Sequence, residues 1–325
     1  MTPTEHLDAL LARPELLLAL APMQDVTDLA FWRLISRYGG ADVYYTEYFR
    51  VHPDSHLDKP ILASITENPT GRPVIAQMIG NDIPSLVRSA RELQQHAIAA
   101  VDLNLGCPAP IVYKKCAGGG LLRDVPRIDG ILGALREAVS VKFTVKTRLG
   151  FDDTATIDAL LPLFVKHSVD LVTIHGRTVT QMYREGVRYD LIGSAAERLP
   201  CPVLANGSIG SHLDAEAVSR QTGVRGHMLG RGAIQNPWLF DQIRQHFRGE
   251  PVFRPSAAQR LAYVEELYET VTLPGTRELD QVNRIKKHLN FFSPGLSRPD
   301  EFLHEMRRCT TRQGIMEVCA RQFEN

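Results

Sequence analysis

Short apolar runs rich in Val, Ile and Leu alternate along most of this chain with longer stretches whose apolar positions recur every three or four residues. The first pattern is that of strands buried on both faces, the second that of helices with one apolar side. Eight runs read as strands: LLLALAPM, DVYYTEY, PVIAQMIG, AVDLNLGCP, VKFTVKTRLG, LVTIHGR, CPVLANGSI and GHMLGRGA. Strands that alternate with helices predict a parallel sheet, because parallel neighbours need a crossover between them. Eight such units over about 230 residues predict an α/β fold of the closed (β/α)8, or TIM-barrel, type. A doubly wound open sheet is the competing architecture. The positions of the polar residues favour the barrel: Gln77, Asn104, Cys107, Lys146, Arg148, His175 and Asn206 all lie at or just after the C-terminal ends of runs. A barrel gathers those ends at one mouth.

After residue 246 the pattern changes. RGEPVFRPSAAQ is rich in Pro, Gly and polar residues, and no β-like run follows it. The expected organisation is a barrel over 1–246 and a small all-α domain over 247–325. Leu261, Val264, Leu267 and Tyr268 show helical spacing there, with breaks at LPGTRELD and SPGLSRPD. No repeat of solenoid period and no low-complexity tract is present.

Composition narrows the function classes. Lys plus Arg and Asp plus Glu both number 37, so no global field attracts a polyanion and any RNA-binding surface must be a local patch. The apolar run ELLLALAPM is too short to span a bilayer, and Asp8, Arg13 and Glu15 interrupt the segment a leader would need. A cytoplasmic protein without a membrane partner is the expectation. Five cysteines with no CxxC pair argue against a disulfide framework and a cysteine-rich zinc site, so no metal is expected.

Cys107 sits in DLNLGCPAP, where Gly106 and Pro108 fix a tight turn at a strand end. A thiol there points into the mouth. It serves as a general acid when protonated and as a nucleophile only when activated to the thiolate, and a lone cysteine is otherwise a small buried hydrophobe. A second constellation is ANGSIG (Ala205–Gly210) with LGRGA (Leu229–Ala233), glycine-bearing ends of the seventh and eighth runs. TIM barrels frequently hold a phosphate between those two loops, and Arg231 adds a charge-assisted contact. Alone, either loop reads as a tight βα turn; at consecutive strand ends the pair is more specific. No GxGxxG fingerprint accompanies them, because Gln235 stands where the third glycine belongs after Gly230 and Gly232. Among phosphorylated ring cofactors FMN suits such a mouth, with a cation beside its electron-rich edge. Lys146, flanked by Val145 and Thr147 inside a strand pattern, is the candidate, and a lysine so placed needs a buried partner.

In this order APM, TEY, QMIG, DLNLGCP, KTRLG, HGRT, ANGSI and GRGA resemble the tRNA-dihydrouridine synthase family, from about Ala21 to Pro237. The resemblance implies an FMN barrel that reduces the C5–C6 double bond of uridines in tRNA, with NADPH recharging the flavin in a two-stage cycle. It places Cys107 on the family's proton donor to C5. Ala21, Pro22 and Met23 match the segment beneath the flavin, Gln77 a contact to its pyrimidine edge, and Lys146 and His175 contacts around the ring. Asn206, Gly207, Gly230 and Arg231 match the phosphate grip. Asn104 and Arg148 resemble groups that orient the extruded uracil, with Arg177 and Tyr183 lining the same entrance; His175 also reads as a core histidine.

For tRNA, NRIKKHLNFF offers Arg284, Lys286, Lys287 and His288 on the helical part, and Lys114, Lys115 and Arg123 lie near the rim. A charge run by itself is a solvated face; the family's helical domain gives this one its weight. TEYFRV and RIKKHL resemble the bacterial C-type enzymes, which points to a D-loop uridine at position 16, although NLGCPAPIVYKKCAGGGLL is of mixed character. The glycines of KKCAGGGLL are expected to let the loop after Cys107 move and order on RNA, with Cys116 a bystander. A monomer is expected. Two other readings stand beside this one: an FMN barrel acting on a free small molecule such as dihydroorotate or a dihydropyrimidine, which would not need a basic helical domain, and a non-catalytic RNA-binding barrel, which would not need Cys107 and Lys146.

Overall fold

The computed structural model describes residues 1–184, 186–272 and 275–323. All eight runs are strands of one parallel sheet: β1 (Leu17–Leu20), β2 (Val43–Tyr45), β4 (Val74–Ile79), β5 (Ala100–Leu105), β6 (Lys142–Arg148), β7 (Leu171–His175), β8 (Val203–Asn206) and β9 (Gly226–Leu229). The sheet runs β2-β1-β9-β8-β7-β6-β5-β4, and pairing of β2 with β4 closes it into a barrel. A short β3 (Phe49–Arg50), absent from the sequence-based expectation, adds to β4 alone through Phe49 opposite Met78 and Arg50 opposite Ile79. Two residues carry too little periodicity to signal a strand.

Each barrel strand is followed by a helix on the outside, from Leu29–Arg37 after β1 to Leu239–Phe247 after β9. Several begin at a side-chain cap that takes an otherwise unpaired amide: Asp28, Asp82 and Asp124 accept from the N–H of Phe31, Ser85 and Arg127 at 3.0 Å, and Ser211 accepts from Asp214 at 3.0 Å. An N-terminal helix, α1 (Pro3–Ala12), starts from a Thr2/Glu5 capping box and closes the barrel floor. Its Leu7 and Leu10 pack on the inward-facing Leu17, Val43, Leu171 and Leu204. Arg225 pins the end of α1 by donating to the carbonyls of Leu10, Leu11 and Arg13. The floor is therefore apolar, and polar chemistry is confined to the opposite end.

Beyond residue 247 the described chain is helical: α2 (Ala257–Val271), α3 (Glu278–Leu289), α4 (Pro299–Arg308) and α5 (Arg312–Phe323). The expected break at LPGTRELD falls partly on Leu273 and Pro274, outside the described residues, as are the last two residues of the expected helical domain. One continuous apolar cluster runs from the barrel's outer helices into these four. Tyr263 of α2 anchors the contact: its hydroxyl donates to Ile234 O at 3.0 Å and its ring meets Tyr38 edge-on at 5.3 Å. Among the described residues no helix is long and apolar enough to cross a membrane.

Candidate active site at the barrel mouth

Alternation along the strands sends every second residue inward, and the parallel register stacks those residues in layers. Gln77, Asp102 and Thr144 lie opposite one another on β4, β5 and β6; Asn104, Lys146 and Thr173 follow on β5, β6 and β7; Arg148, His175 and Asn206 form the outermost set on β6, β7 and β8. Six candidates scattered through the sequence thus share one end of one barrel.

The inner layer supports the turn that carries Cys107. Thr144 donates to Asp102 Oδ1 at 2.6 Å, Gln77 Nε2 to Asp102 Oδ2 at 2.7 Å, and Asn104 Nδ2 to Gln77 Oε1 at 2.8 Å. Asn104 Oδ1 then accepts the backbone N–H groups of both Gly106 and Cys107 at 2.9 Å. Arg148 holds the turn from the other side, its Nε donating to Gly106 O at 2.9 Å and its Nη1 to the carbonyls of Thr178 and Met182 at 2.8 Å. Asn104 and Arg148, expected to face substrate, each make several hydrogen bonds that shape the loop. Burial keeps the Asp102 carboxyl less acidic than usual, at about 6. Asp102 escaped the sequence reading, although it lies two residues before Asn104 and hence on the same inward face.

Half-buried Cys107 lies among Tyr48, Ile79, Val112, Ala109 and Ala117. Burial raises its thiol above the ordinary value, against the opposing pull of Lys146 and Arg148. The protonated thiol is therefore the resting form at neutral pH, which suits an acid rather than a nucleophile.

Lys146 is held about a partner, as a lysine in a strand requires: Nζ donates to Asn206 Oδ1 at 3.3 Å, and Asn206 Nδ2 donates to Met228 O at 2.8 Å. Burial first, then the Arg148 charge, lowers Lys146 to about 8. Arg148 itself falls to about 10 through burial. His175 is buried, and burial with the surrounding cations pushes it well below its ordinary value, so it is a neutral imidazole. Its Nδ1 has no hydrogen-bond partner. A buried ring nitrogen without a partner, beside a lysine with one weak contact, is a polar set awaiting a ligand.

The two glycine loops meet the same space. A Cβ on Gly207 would lie 3.2 Å from Val187 and 3.4 Å from His175 Nε2, and one on Gly230 would lie 3.3 Å from Met23 Sδ. Both glycines keep backbone open where a larger residue would intrude. Arg231 stacks 4.4 Å from the centre of the Tyr183 ring, which also stands edge-on to His175 at 6.3 Å. Arg177 donates to Ser208 Oγ at 2.9 Å. Ala21, Pro22 and Met23 follow β1 at this end, joined to β9 by Ala21 N donating to Leu229 O at 2.8 Å.

The family model described as dihydrouridine synthase (Dus) matches residues 19–325. The chain belongs to the dihydrouridine synthase family. Among its relatives, a protein of Rickettsia conorii named "Probable tRNA-dihydrouridine synthase" is 34% identical over 87% of this chain and 86% of its own length. The tRNA-dihydrouridine synthase B of Shewanella oneidensis is 31% identical over 85% of each chain, and the tRNA-dihydrouridine(16) synthase of Neisseria meningitidis 28% identical over 83% and 84%. The histamine dehydrogenase structure from Rhizobium sp. 4-9 superposes with a TM-score of 0.54 at 14% identity, over 78% of this chain and 48% of that one, which shows a shared barrel fold. The chain thus spans about half of that protein's length.

The glycines after Cys107 lie in a short helix rather than in an open loop. Residues Gly118–Arg123 form a 3-10 helix whose three glycines are buried against the Cys107 turn. A Cβ on Gly119 would meet Val179 at 2.5 Å and Cys107 O at 2.8 Å, and one on Gly120 would meet Tyr113 O at 2.4 Å. Close approach accounts for Gly119 and Gly120, while Gly118 also sits at a positive φ of 54°. Cys116 is exposed.

The cations of the helical part are distributed unequally. Arg284 and Lys287 face the loop after β1, pairing with Asp28 at 3.4 Å and Asp25 at 3.9 Å. Lys286 instead caps α4, donating to Arg307 O at 3.1 Å and Cys309 O at 2.6 Å. His288 is buried, its Nε2 hydrogen-bonded to Val26 O at 3.1 Å, and cannot reach a phosphate. At the rim Lys114 and Lys115 are exposed, whereas Arg123 stacks on Phe151 at 4.2 Å.

Proposed function

We propose that this family member reduces uridine to 5,6-dihydrouridine in tRNA, with FMN as cofactor, NADPH as electron donor and Cys107 as the proton donor. The observation that carries the reading is a protonated, half-buried thiol fixed by Asn104 and Arg148 at the same mouth as Lys146, His175 and the glycine loops. The mouth fits FMN by its donor set: Lys146 and the partnerless His175 Nδ1 lie beside open backbone at Gly207 and Gly230. Gly207, Gly230 and Arg231 would hold its phosphate, Ala21–Met23 the underside of its ring, and Gln77 and Lys146 its pyrimidine edge. When bound, FMN recharged by NADPH supplies the hydride for C6 of the uracil.

The chain's own residues do the rest. Lys146 offers a positive charge inside a water-poor site, where it is worth most. Cys107 releases its proton to C5 from a turn whose amides are tied down, so no reorganisation is needed at the moment of transfer. Asn104 and Arg148 set the position of that turn. A uridine in folded tRNA must be extruded to reach a barrel mouth; Tyr183 and Arg177 line the entrance, and Arg284, Lys287, Lys114 and Lys115 supply local positive charge for phosphates. Arg284 and Lys287, nearest the mouth-side loop after β1, are the better placed of the helical cations. Position 16 of the D-loop is the site that TEYFRV and RIKKHL favour, and one relative carries that position in its name. The protein acts in the cytoplasm, as a monomer formed by the barrel and the helical domain.

The test is direct. The purified protein should show flavin absorption bands, and with NADPH it should reduce unmodified tRNA while leaving free uridine untouched. Reduction of free uridine at a comparable rate would move the reading to a small-molecule oxidoreductase, and a colourless protein without activity would leave only an RNA-binding barrel.

A further inference from the structure

The helical part attaches beside β9 and β1, through Ile234 and through the loop that carries Asp25 and Asp28. Around the closed sheet β5 stands opposite β9, four steps away in either direction. On that far side of the mouth lie six exposed cations: Arg50 at the end of β3, Arg88 on the helix Ile83–Leu93 after β4, and Lys114, Lys115, Arg123 and Arg127 after β5. None of the six pairs with a carboxylate among the described residues. Asp58, Asp82 and Asp124 of the same rim are engaged at helix starts, accepting from the N–H groups of Ile61, Ser85 and Arg127. The cations of α3 differ: Arg284 and Lys287 each face a carboxylate, and Lys286 is bonded to carbonyls.

The far rim is also fixed in place. Arg88 donates to the carbonyls of His52, Pro53 and Ser55 at 3.1, 2.9 and 2.9 Å, tying the loop after β3 to the helix after β4. Arg127 donates to Asn81 O at 2.7 Å, Asn81 Nδ2 to Lys115 O at 3.0 Å, and Arg123 to Tyr113 O at 3.0 Å, which joins the loops after β4 and β5. A guanidinium has several donors, so bonds to carbonyls orient it while its full charge remains for an anion. The surface is continuous with the site, because Val112 packs in the cluster that holds Cys107 and Gly119 N donates to Cys107 O at 3.1 Å.

We propose that this far rim is the principal electrostatic anchor for the tRNA backbone, so that the RNA is held on both sides of Cys107, by the rim on one and by the helical part on the other. This rests on tRNA being the substrate. Phosphates along an RNA strand are the anions that match cations spread over three loops. A cation with no carboxylate partner meets a phosphate without first giving up an ion pair, and one already held by carbonyls loses little freedom on binding. Arg284 and Lys287 have neither advantage in full, so the helical part orients the RNA more than it attracts it.

The experiment is fluorescence anisotropy of labelled, unmodified tRNA with the full-length protein, titrated from about 50 to 200 mM salt. Arg50→Gln/Lys114→Gln/Lys115→Gln is compared with Arg284→Gln/Lys287→Gln. The rim variant should bind about tenfold more weakly or worse, with the slope of log affinity against log salt shallower by about two to three; the helical variant should lose about one. Unchanged affinity and slope in the rim variant overturn the proposal, and so does a larger loss in the helical variant. If the triple variant fails to fold, Lys114→Gln/Lys115→Gln carries the comparison, since neither side chain makes a hydrogen bond or ion pair among the described residues; its slope should fall by about one to two, and no fall overturns the proposal. Failure of the underlying reading shows separately, as a wild-type protein that leaves unmodified tRNA unreduced in the presence of NADPH.

Discussion

Cys107 and Lys146 divide the proposed chemistry at the level of single residues, and each makes its own prediction. Replacing Cys107 by Ala removes the proposed acid without emptying the cofactor site, so tRNA reduction should fall by about 10²- to 10⁴-fold while bound flavin is retained; loss of the flavin instead would mean that the thiol is structural. Lys146 is charged below its lowered value of about 8 and neutral above it. An anionic cofactor favours the charged form, so FMN affinity should weaken as pH rises through 8, and Lys146→Met should flatten that dependence. Fluorescence titration at pH 7 and 9.5 checks both, and equal affinities in the wild type would contradict the role. Asp102→Ala strands the buried Gln77 and Thr144 donors without their acceptor, and should cost about 2–3 kcal/mol in urea unfolding. These residues differed in legibility. Cys107, Lys146 and Asn206 stand at strand ends and are legible from position; Asp102 was equally legible from two-residue alternation but lies deeper in its strand.

At the level of elements, strong periodicity carried over into structure and glycine did not explain itself. All eight barrel strands lie within the runs that pattern alone marks, because a parallel barrel buries both faces of each strand. Helix α1 lies outside the elements that periodicity predicts although its Thr2/Glu5 capping box is a recognisable start signal, because only Leu7 and Leu10 of its ten residues are buried. Glycine has two uses, conformational freedom and absence of bulk, and sequence does not say which applies. At Gly119 and Gly120 it is absence of bulk, whereas Gly118, at a φ of 54°, needs the conformational freedom as well. Gly119→Ala should therefore displace the Cys107 turn, lowering stability by about 1–3 kcal/mol together with activity, whereas Gly130→Ala, in the open on helix Val125–Ala138 with its nearest neighbour at 3.7 Å, should be neutral or stabilising. Thermal melting of the pair decides it; similar tolerance at both positions would favour the mobile-loop reading.

For the whole molecule, a chain of zero net charge must meet a polyanion through a few placed cations. The structure separates those that fasten the helices from those that face the mouth. Lys286, bonded to the end of α4, should lower the melting temperature when replaced by Ala; Lys287, exposed and only 3.9 Å from one exposed carboxylate, should instead weaken tRNA binding and reduce its salt dependence by about one ion. The reverse assignment would place the RNA on the α4 side. The helical character of this region was legible in apolar spacing, but its attachment was not, because Tyr263 and Tyr38 meet only through the fold. The central claim, that this mouth makes dihydrouridine in tRNA, is tested most directly by mass-spectrometric mapping of dihydrouridine in tRNA from cells lacking the gene, complemented with the wild type or Cys107→Ala. Loss at one D-loop position, restored by the wild type and not by the variant, is the predicted result. Dihydrouridine unchanged at every position in cells lacking the gene would contradict it.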